Sequence, residues 1–434
     1  MSGAARFVTP AGVVVLSEES HAIPLVDVTA VLRTGALADP EGLDGLARVA
    51  ARMLRMGTKT RSAEETEELL ERLGASLSID VSHGTIRFMG SVIARSFPAF
   101  LALFGEILRA PALRPKDLAR VKRESIADLS QQRDNDRWLG SRAFRSALFG
   151  DHPYARSPLG SVASLRRVSV EDVSGFLGRY VTAPNLVLGI AGDVVAKDLP
   201  KLVGDALGGL PRSSPKPIAL ASPRRALGRR LVIVDKPGRT QTQMFLGTLG
   251  SRLRDPDFHT LFVANTAFGG TFSAPLIQEV RARRGYSYSA SSRLGADRER
   301  EAWTIYTHPS SESAKDCLAL ELELVERFVS RGPSAAELEF AKSYLVKSHA
   351  FDLDTPQKRL EPRVEAEVQG LPRSFHEKFV ARVSAVELDA ARAAVRRRLA
   401  SRDLTIAIVA TARDVIDSVR SLVDDVRVVP FDRV

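Results

Sequence analysis

Apolar positions recur along this chain with two different periods. Residues 13–16 and 26–32 run apolar and β-branched, which predicts strands. Residues 45–56 place apolar side chains every three to four positions, which predicts an amphipathic helix closed by Gly57. A second helix is predicted over 63–73, with Ser62 as N-cap and Glu65 at the capping-box position. Residues 76–92 hold two alternating runs around Ser82-His83-Gly84, a hairpin pattern. Helices are predicted over 97–108, 115–132, 138–148, 170–180 and 199–207, and a strand over 186–191. Strands and helices mix without βαβ alternation. The fold class expected is therefore α+β, a mostly antiparallel sheet with helices packed on one face.

The pattern repeats. Asp39-Pro40 returns as Asp255-Pro256, Asp117-Leu118 as Glu337-Leu338, Val168-Ser169 as Val383-Ser384, and the strand at 185–191 as residues 403–409. These matches are collinear, at offsets of about 215 to 220 residues, too long for a solenoid unit. The reading is two homologous domains, residues 1–209 and 229–434. Between them lies a Pro-, Ser- and Arg-rich linker at 210–228.

Composition narrows the function classes. The 434 residues are 44% hydrophobic and 26% charged, values of a folded chain. No apolar run is long enough to span a membrane. The first twenty residues lack a basic segment followed by an apolar one, so no secretory signal is expected. Cys317 is the only cysteine, which leaves no internal disulfide and suits a reducing, cytoplasmic location. The net charge of +10 does not imply nucleic acid, because the arginines are scattered among acids and aromatics are only 6%. The densest basic cluster, residues 396–398, ends a helical run, where cations suit the helix dipole.

The candidate chemistry begins at 45–58, GLARVAARMLRMGT. Arg48 and Arg52 are four apart and share one face of the helix. In that geometry two histidines would bind one metal ion, but guanidinium groups offer no lone pair. The seven histidines (21, 83, 152, 259, 308, 349 and 376) contain no i,i+4 pair. Gly269-Gly270 lacks the Lys-Ser/Thr of a phosphate loop. Phe272, Leu276 and Ile277 read as core positions of the helix beyond that turn. Farther on, Arg281 and Tyr288 stand seven apart around Gly285. Read alone, Arg281 pairs with a carboxylate such as Glu279 and Tyr288 packs in the sheet. Alternatively, both donate to a peptide carbonyl or oxyanion.

Three stretches carry a resemblance: TGALADPEGLDGLARVAARMLRMGTKTRSAEE, DHPYARSPLG at 151–160, and AFGGTFSAPLIQEVRARRGYSYSASS at 267–292. With the duplication, they resemble the insulinase/pitrilysin family of zinc peptidases, in its two-domain branch that includes the mitochondrial processing peptidase. Active members carry His-x-x-Glu-His on the helix after GLA, two zinc ligands and the base that activates water. Matched residue by residue, those positions are Arg48, Ala51 and Arg52. The family's third ligand, a glutamate about 75 residues later, falls near Asp128 or Leu129. The resemblance thus implies no catalytic residue, no metal and no cofactor in this chain. It implies substrate-binding roles for Arg281 and Tyr288, a structural role for His152, and glycines at 269–270 that join two helices. It marks residues 75–79 as an exposed strand edge to which a peptide substrate adds. The implied function is a zinc-less subunit of a heterodimeric metallopeptidase. That subunit shapes the chamber and supplies Arg281 and Tyr288 to a zinc-bearing homologous partner, acting on peptide or unfolded protein. The alternative is a structural scaffold or peptide-binding protein with no role in proteolysis. Arg48 and Arg52 are then idle replacements, or hold an acidic substrate or a partner's carboxylate.

Overall fold

In the computed structural model, residues 3–434 are described. Met1 and Ser2, part of the stretch read for a targeting signal, lie outside them. Two six-stranded sheets organise the chain. The first contains β1 (Gly3–Val8), β2 (Val14–Glu19), β3 (Leu25–Leu32), β4 (Ser76–Val81), β5 (Ile86–Ile93) and β6 (Leu186–Gly192), in the order β1-β2-β6-β3-β5-β4. The second contains β7 (Arg229–Asp235), β8 (Gln243–Leu249), β9 (Ala290–Leu294), β10 (Ala302–Thr307), β11 (Leu404–Ala410) and β12 (Asp425–Pro430), in the order β12-β7-β11-β8-β10-β9. In the first sheet only β2 and β6 run parallel; in the second, β11 and β12 both run parallel to β7. The class is α+β, as the pattern predicted. The orders also display the duplication, since β2, β6, β3, β5 and β4 occupy the slots of β7, β11, β8, β10 and β9. The first strand of the chain and the last fill the same outer slot.

Local rules act as expected at several helix starts. Ser62 Oγ accepts from Glu65 N–H at 3.1 Å, while Glu65 accepts from Ser62 N–H at 2.7 Å, a complete capping box. Ser169 caps Val170–Tyr180 with Asp172 in the same way. Residues 211–227 carry neither helix nor strand. Among the described residues no helix is long and apolar enough to cross a membrane.

Each sheet packs one face on helices of its own half. The first core joins the sheet to Leu46–Met53, Phe97–Arg109, Val170–Tyr180 and Leu199–Leu207; the second joins its sheet to Phe258–Asn265, Ala314–Arg331 and Leu388–Arg398. The opposite face is also covered, which goes beyond the one-sided packing expected. Its cover comes from the other half of the sequence. Leu360, Val364 and Val368 of Pro356–Gln369 pack on Val14, Leu16, Val31, Val187 and Ala191 of the first sheet. The helix Asp136–Phe149 packs on β7, β8 and β11 of the second. The compact units are accordingly 1–129 with 156–219 and 350–376, and 130–155 with 220–349 and 377–434. They differ from the halves of the repeat by these two exchanged segments.

The reason is visible in the central strands. β6 (LVLGIAG) and β11 (LTIAIVA) are buried at every position. A strand that is apolar throughout needs cover on both faces. Gly189 makes room for the incoming helix: a Cβ there would lie 2.7 Å from Val364 Cγ2. Ion pairs fix the same helix, Arg359 to Glu18 at 3.0 Å and Arg87 to Glu365 at 3.0 Å.

Candidate functional site

The helix Leu46–Met53 is entered through Gly45, at φ +93°, where a Cβ would meet Gly160 Cα at 3.0 Å. Asp39 caps the entry, accepting the N–H groups of Gly45 and Ala47 at 2.7 Å each. The helix is shorter than its apolar period suggested, because residues 54–56 tighten into single turns before Gly57, at φ +88°. Ala47, Val49, Ala50, Ala51 and Met53 are buried. Arg48 and Arg52 are left on the side that meets the helix Pro115–Gln132.

Arg52 is held on three sides by that second helix. Its Nη1 donates to Ser125 Oγ at 3.1 Å and pairs with Asp128 Oδ2 at 2.9 Å, and its Nη2 pairs with Glu124 Oε2 at 2.6 Å. Arg48 Nη2 lies 3.8 Å from the same Asp128 oxygen. Burial, and next the Arg52 charge, hold the Arg48 pKa below its ordinary value, against the pull of Asp128 and Asp80. Of the two residues near the family's third-ligand position, Asp128 faces the two arginines, while Leu129 lies in the core.

These residues do not fit zinc. Both ligand positions of the helix carry guanidinium groups without a lone pair, Ala51 has no base, and the carboxylates facing the spot are engaged by Arg52. Among the described residues no three His, Cys, Asp or Glu side chains are grouped to hold a metal ion. His152 has local duties only. Its Nδ1 accepts from Tyr154 N–H at 3.1 Å, so Nε2 carries the proton it donates to Ala221 O at 2.8 Å.

β4, which contains the marked substrate edge, ends the first sheet with β5 as its only strand neighbour. Its Leu77 carbonyl is not free, because Arg55 donates to it while also pairing with Glu67 at 2.5 Å. A charged side chain laid on an edge strand is a common guard against strand addition.

In the second unit, Arg281 sits in the segment Gln278–Arg283, a wide helical turn in which Arg284 N–H bonds to Glu279 O at 3.2 Å. Such i to i−5 turns are rare and cluster at functional sites. Gly285, at φ +65°, then reverses the chain toward β9. The Arg–Tyr pair matches neither a carboxylate-bound arginine nor a tyrosine packed in the sheet. Glu279 is taken by Arg283 at 2.5 Å, and Tyr288 stands 76% exposed, two residues before the sheet. The Arg281 guanidinium lies 4.5 Å from the Tyr288 ring centre and 4.8 Å from that of Phe272. Phe272 is not a core residue: it is 68% exposed, ahead of the helical start at Pro275, whereas Leu276 and Ile277 are buried as expected. Two ring contacts hold the guanidinium through its π-system and use none of its N–H groups as conventional hydrogen-bond donors. Periodicity could not have found Phe272, because a kink at Gly269 and a new helix start separate it from any regular spacing.

A duplicated α+β unit of this topology, with a degenerate His-x-x-Glu-His helix in its first half, defines the class. The chain belongs to the insulinase family, peptidase family M16, as a member without the catalytic zinc motif. Residues 14–161 match the insulinase (peptidase family M16) domain and residues 167–345 match the peptidase M16 inactive domain. Among relatives, the non-peptidase homolog YmxG of Helicobacter pylori is 23% identical over 410 residues, covering 94% of each chain. An uncharacterised zinc protease of Mycobacterium bovis is 26% identical over 404 residues, covering 92% of this chain and 91% of that one. The crystal structure of a peptidase M16 inactive domain from Pseudomonas fluorescens superposes with a TM-score of 0.88 at 23% identity, over 94% of this chain and 97% of that one.

Proposed function

We propose that this chain is the zinc-less subunit of a heterodimeric metallopeptidase of the cytoplasm. It helps shape the substrate chamber and presents Arg281 and Tyr288 to peptide bound at the zinc of a homologous partner. The observation that carries this reading is the contrast between the two sites. The position matching the family's zinc helix is closed by its own ion pairs, whereas Arg281 has no carboxylate partner among the described residues and rests beside two exposed rings. A guanidinium and a phenol held together suit a peptide carbonyl and the oxyanion that forms from it. Zinc, water activation and bond cleavage belong to the partner.

The test reconstitutes the zinc-bearing homologue with wild-type chain, Arg281→Ala or Tyr288→Ala and follows cleavage of an unfolded substrate. Loss of one oxyanion-type donor lowers kcat by about 10²–10³. Equal rates with all three chains, or no complex between the two homologues, would overturn the proposal.

A further inference from the structure

The second unit contains a cleft of about 380 Å³ between the helix Asp136–Phe149 and the outer faces of β8, β9 and β10. Three guanidinium groups line it, those of Arg137, Arg145 and Arg293, against one carboxylate, Glu301. Glu301 is fully used by Arg145, at 2.8 and 3.2 Å through its two oxygens. Arg137 and Arg293 have no carboxylate partner among the described residues. Arg137 is nonetheless placed, 4.2 Å over the ring of Tyr306, whose hydroxyl donates to Gln243 Oε1 at 2.6 Å. The cleft therefore holds two uncompensated positive charges on a semi-rigid wall, in a recess where field lines concentrate.

Its place along the chain bears on what it takes. β9 begins two residues after Tyr288 and ends the sheet, with β10 as its only strand neighbour. Ala290, Ser292 and Leu294 are buried on the core side, while Ser291 and Arg293 face the cleft. Arg293 follows Tyr288 by five residues, a span of at most about 17 Å. Among the described residues, the cleft has no backbone nest of the kind that cradles phosphate in many sites. At the rim, Gly295 N–H is bonded to Ala302 O at 2.8 Å and Ala302 N–H to Glu301 Oε1 at 2.8 Å. Side-chain guanidiniums without a backbone nest fit a carboxylate carried on an extended chain.

We propose that this cleft is a subsite for an acidic side chain of the peptide substrate, about five residues from the one held at Arg281 and Tyr288. The preference for a carboxylate rests on the cleft alone. Only the five-residue register rests on the role proposed for Arg281 and Tyr288.

The experiment measures binding of the intact chain to a labelled extended peptide bearing glutamates, and to the same peptide with glutamines, by fluorescence anisotropy. The glutamate peptide binds about tenfold tighter or more, and salt narrows the gap. The double variant R137Q/R293Q, its fold checked by circular dichroism, abolishes the gap, and either single variant reduces it. Arg281→Ala weakens both peptides alike and leaves the gap. Equal binding of the two peptides overturns the proposal, as does an unchanged gap in R137Q/R293Q. Abolition of the gap by inorganic phosphate as readily as by free glutamate peptide also overturns it, in favour of a small anion. A persistent gap together with partner cleavage insensitive to Arg281→Ala keeps the cleft and removes the role of Arg281.

Discussion

Arg52 and Asp128 lie 2.9 Å apart, an ion pair that joins the helices Leu46–Met53 and Pro115–Gln132. Glu124 adds a second carboxylate to the same guanidinium at 2.6 Å. Arg52→Ala leaves two carboxylates facing each other without a counter-charge. All three groups are partly solvated, so the cost expected is about 1 kcal/mol, with a few tenths at most for Arg48→Ala. Urea midpoints of the two variants check this; equal shifts would show that Arg52 has no special share in the network.

The donor chemistry at Arg48, Ala51 and Arg52 makes a stability independent of zinc the expected outcome. Dialysis against EDTA is expected to leave the melting temperature unchanged, and metal analysis to find no stoichiometric zinc. Zinc at one ion per chain, with melting lowered by chelation, would contradict the donor chemistry of Arg48, Ala51 and Arg52.

Glu321 is wholly buried in the second core. One oxygen accepts from Thr307 Oγ1 at 2.7 Å and the other has no partner. Burial pushes its carboxyl up to about 7. The proton is held more tightly when folded, so this contribution is complete below the ordinary pKa of 4.5 and is lost as pH rises to about 7. The slope is at most about 1.4 kcal/mol per pH unit. Denaturation across that window should show the wild type falling relative to Glu321→Gln. Parallel profiles would mean that the carboxyl keeps its ordinary pKa.

Two glycine substitutions should differ in sign. Gly189→Ala drives a methyl against Val364 on the exchanged helix and should destabilise by about 1–3 kcal/mol. Gly175→Ala, in the helix Val170–Tyr180, meets nothing within 4 Å and should stabilise by about 0.5–1 kcal/mol. Thermal melts of both variants decide it.

Phe272→Ala removes one of the two rings on Arg281. An exposed cation–π contact contributes about 0.5–1 kcal/mol, so a two- to fivefold loss of partner-assisted cleavage is expected. No change would make Phe272 a bystander.

Much of this was legible in residue order. Ser62-x-x-Glu65 announces a helix start because capping is local chemistry. The hairpin at 82–84 and the repeat of Asp39-Pro40 are local as well. The α+β class followed from element order alone. What stayed hidden is non-local. Ser125, Glu124 and Asp128 meet Arg52 only when two helices distant in sequence pack together. Phe272 looked apolar and hence buried, yet its ring covers a cation at the surface. The helix exchange had one signal, the nearly unbroken apolar runs of β6 and β11, interrupted only by Thr405, which require cover on both faces without naming what supplies it.

That exchange has a consequence for the order of events at the ribosome. The first sheet waits for Leu360 and Val364 before its second face is dry, although its last strand, β6, is finished at Gly192. The helix Asp136–Phe149 emerges early, yet the strands it packs on, β7, β8 and β11, all follow the linker, the last of them near the end of synthesis. A chain that ends at the 210–228 linker therefore has every strand of the first sheet but not the cover of its second face, and carries the helix Asp136–Phe149 without the strands it packs on. Its two halves made separately are each expected to leave an apolar face open that the other half covers.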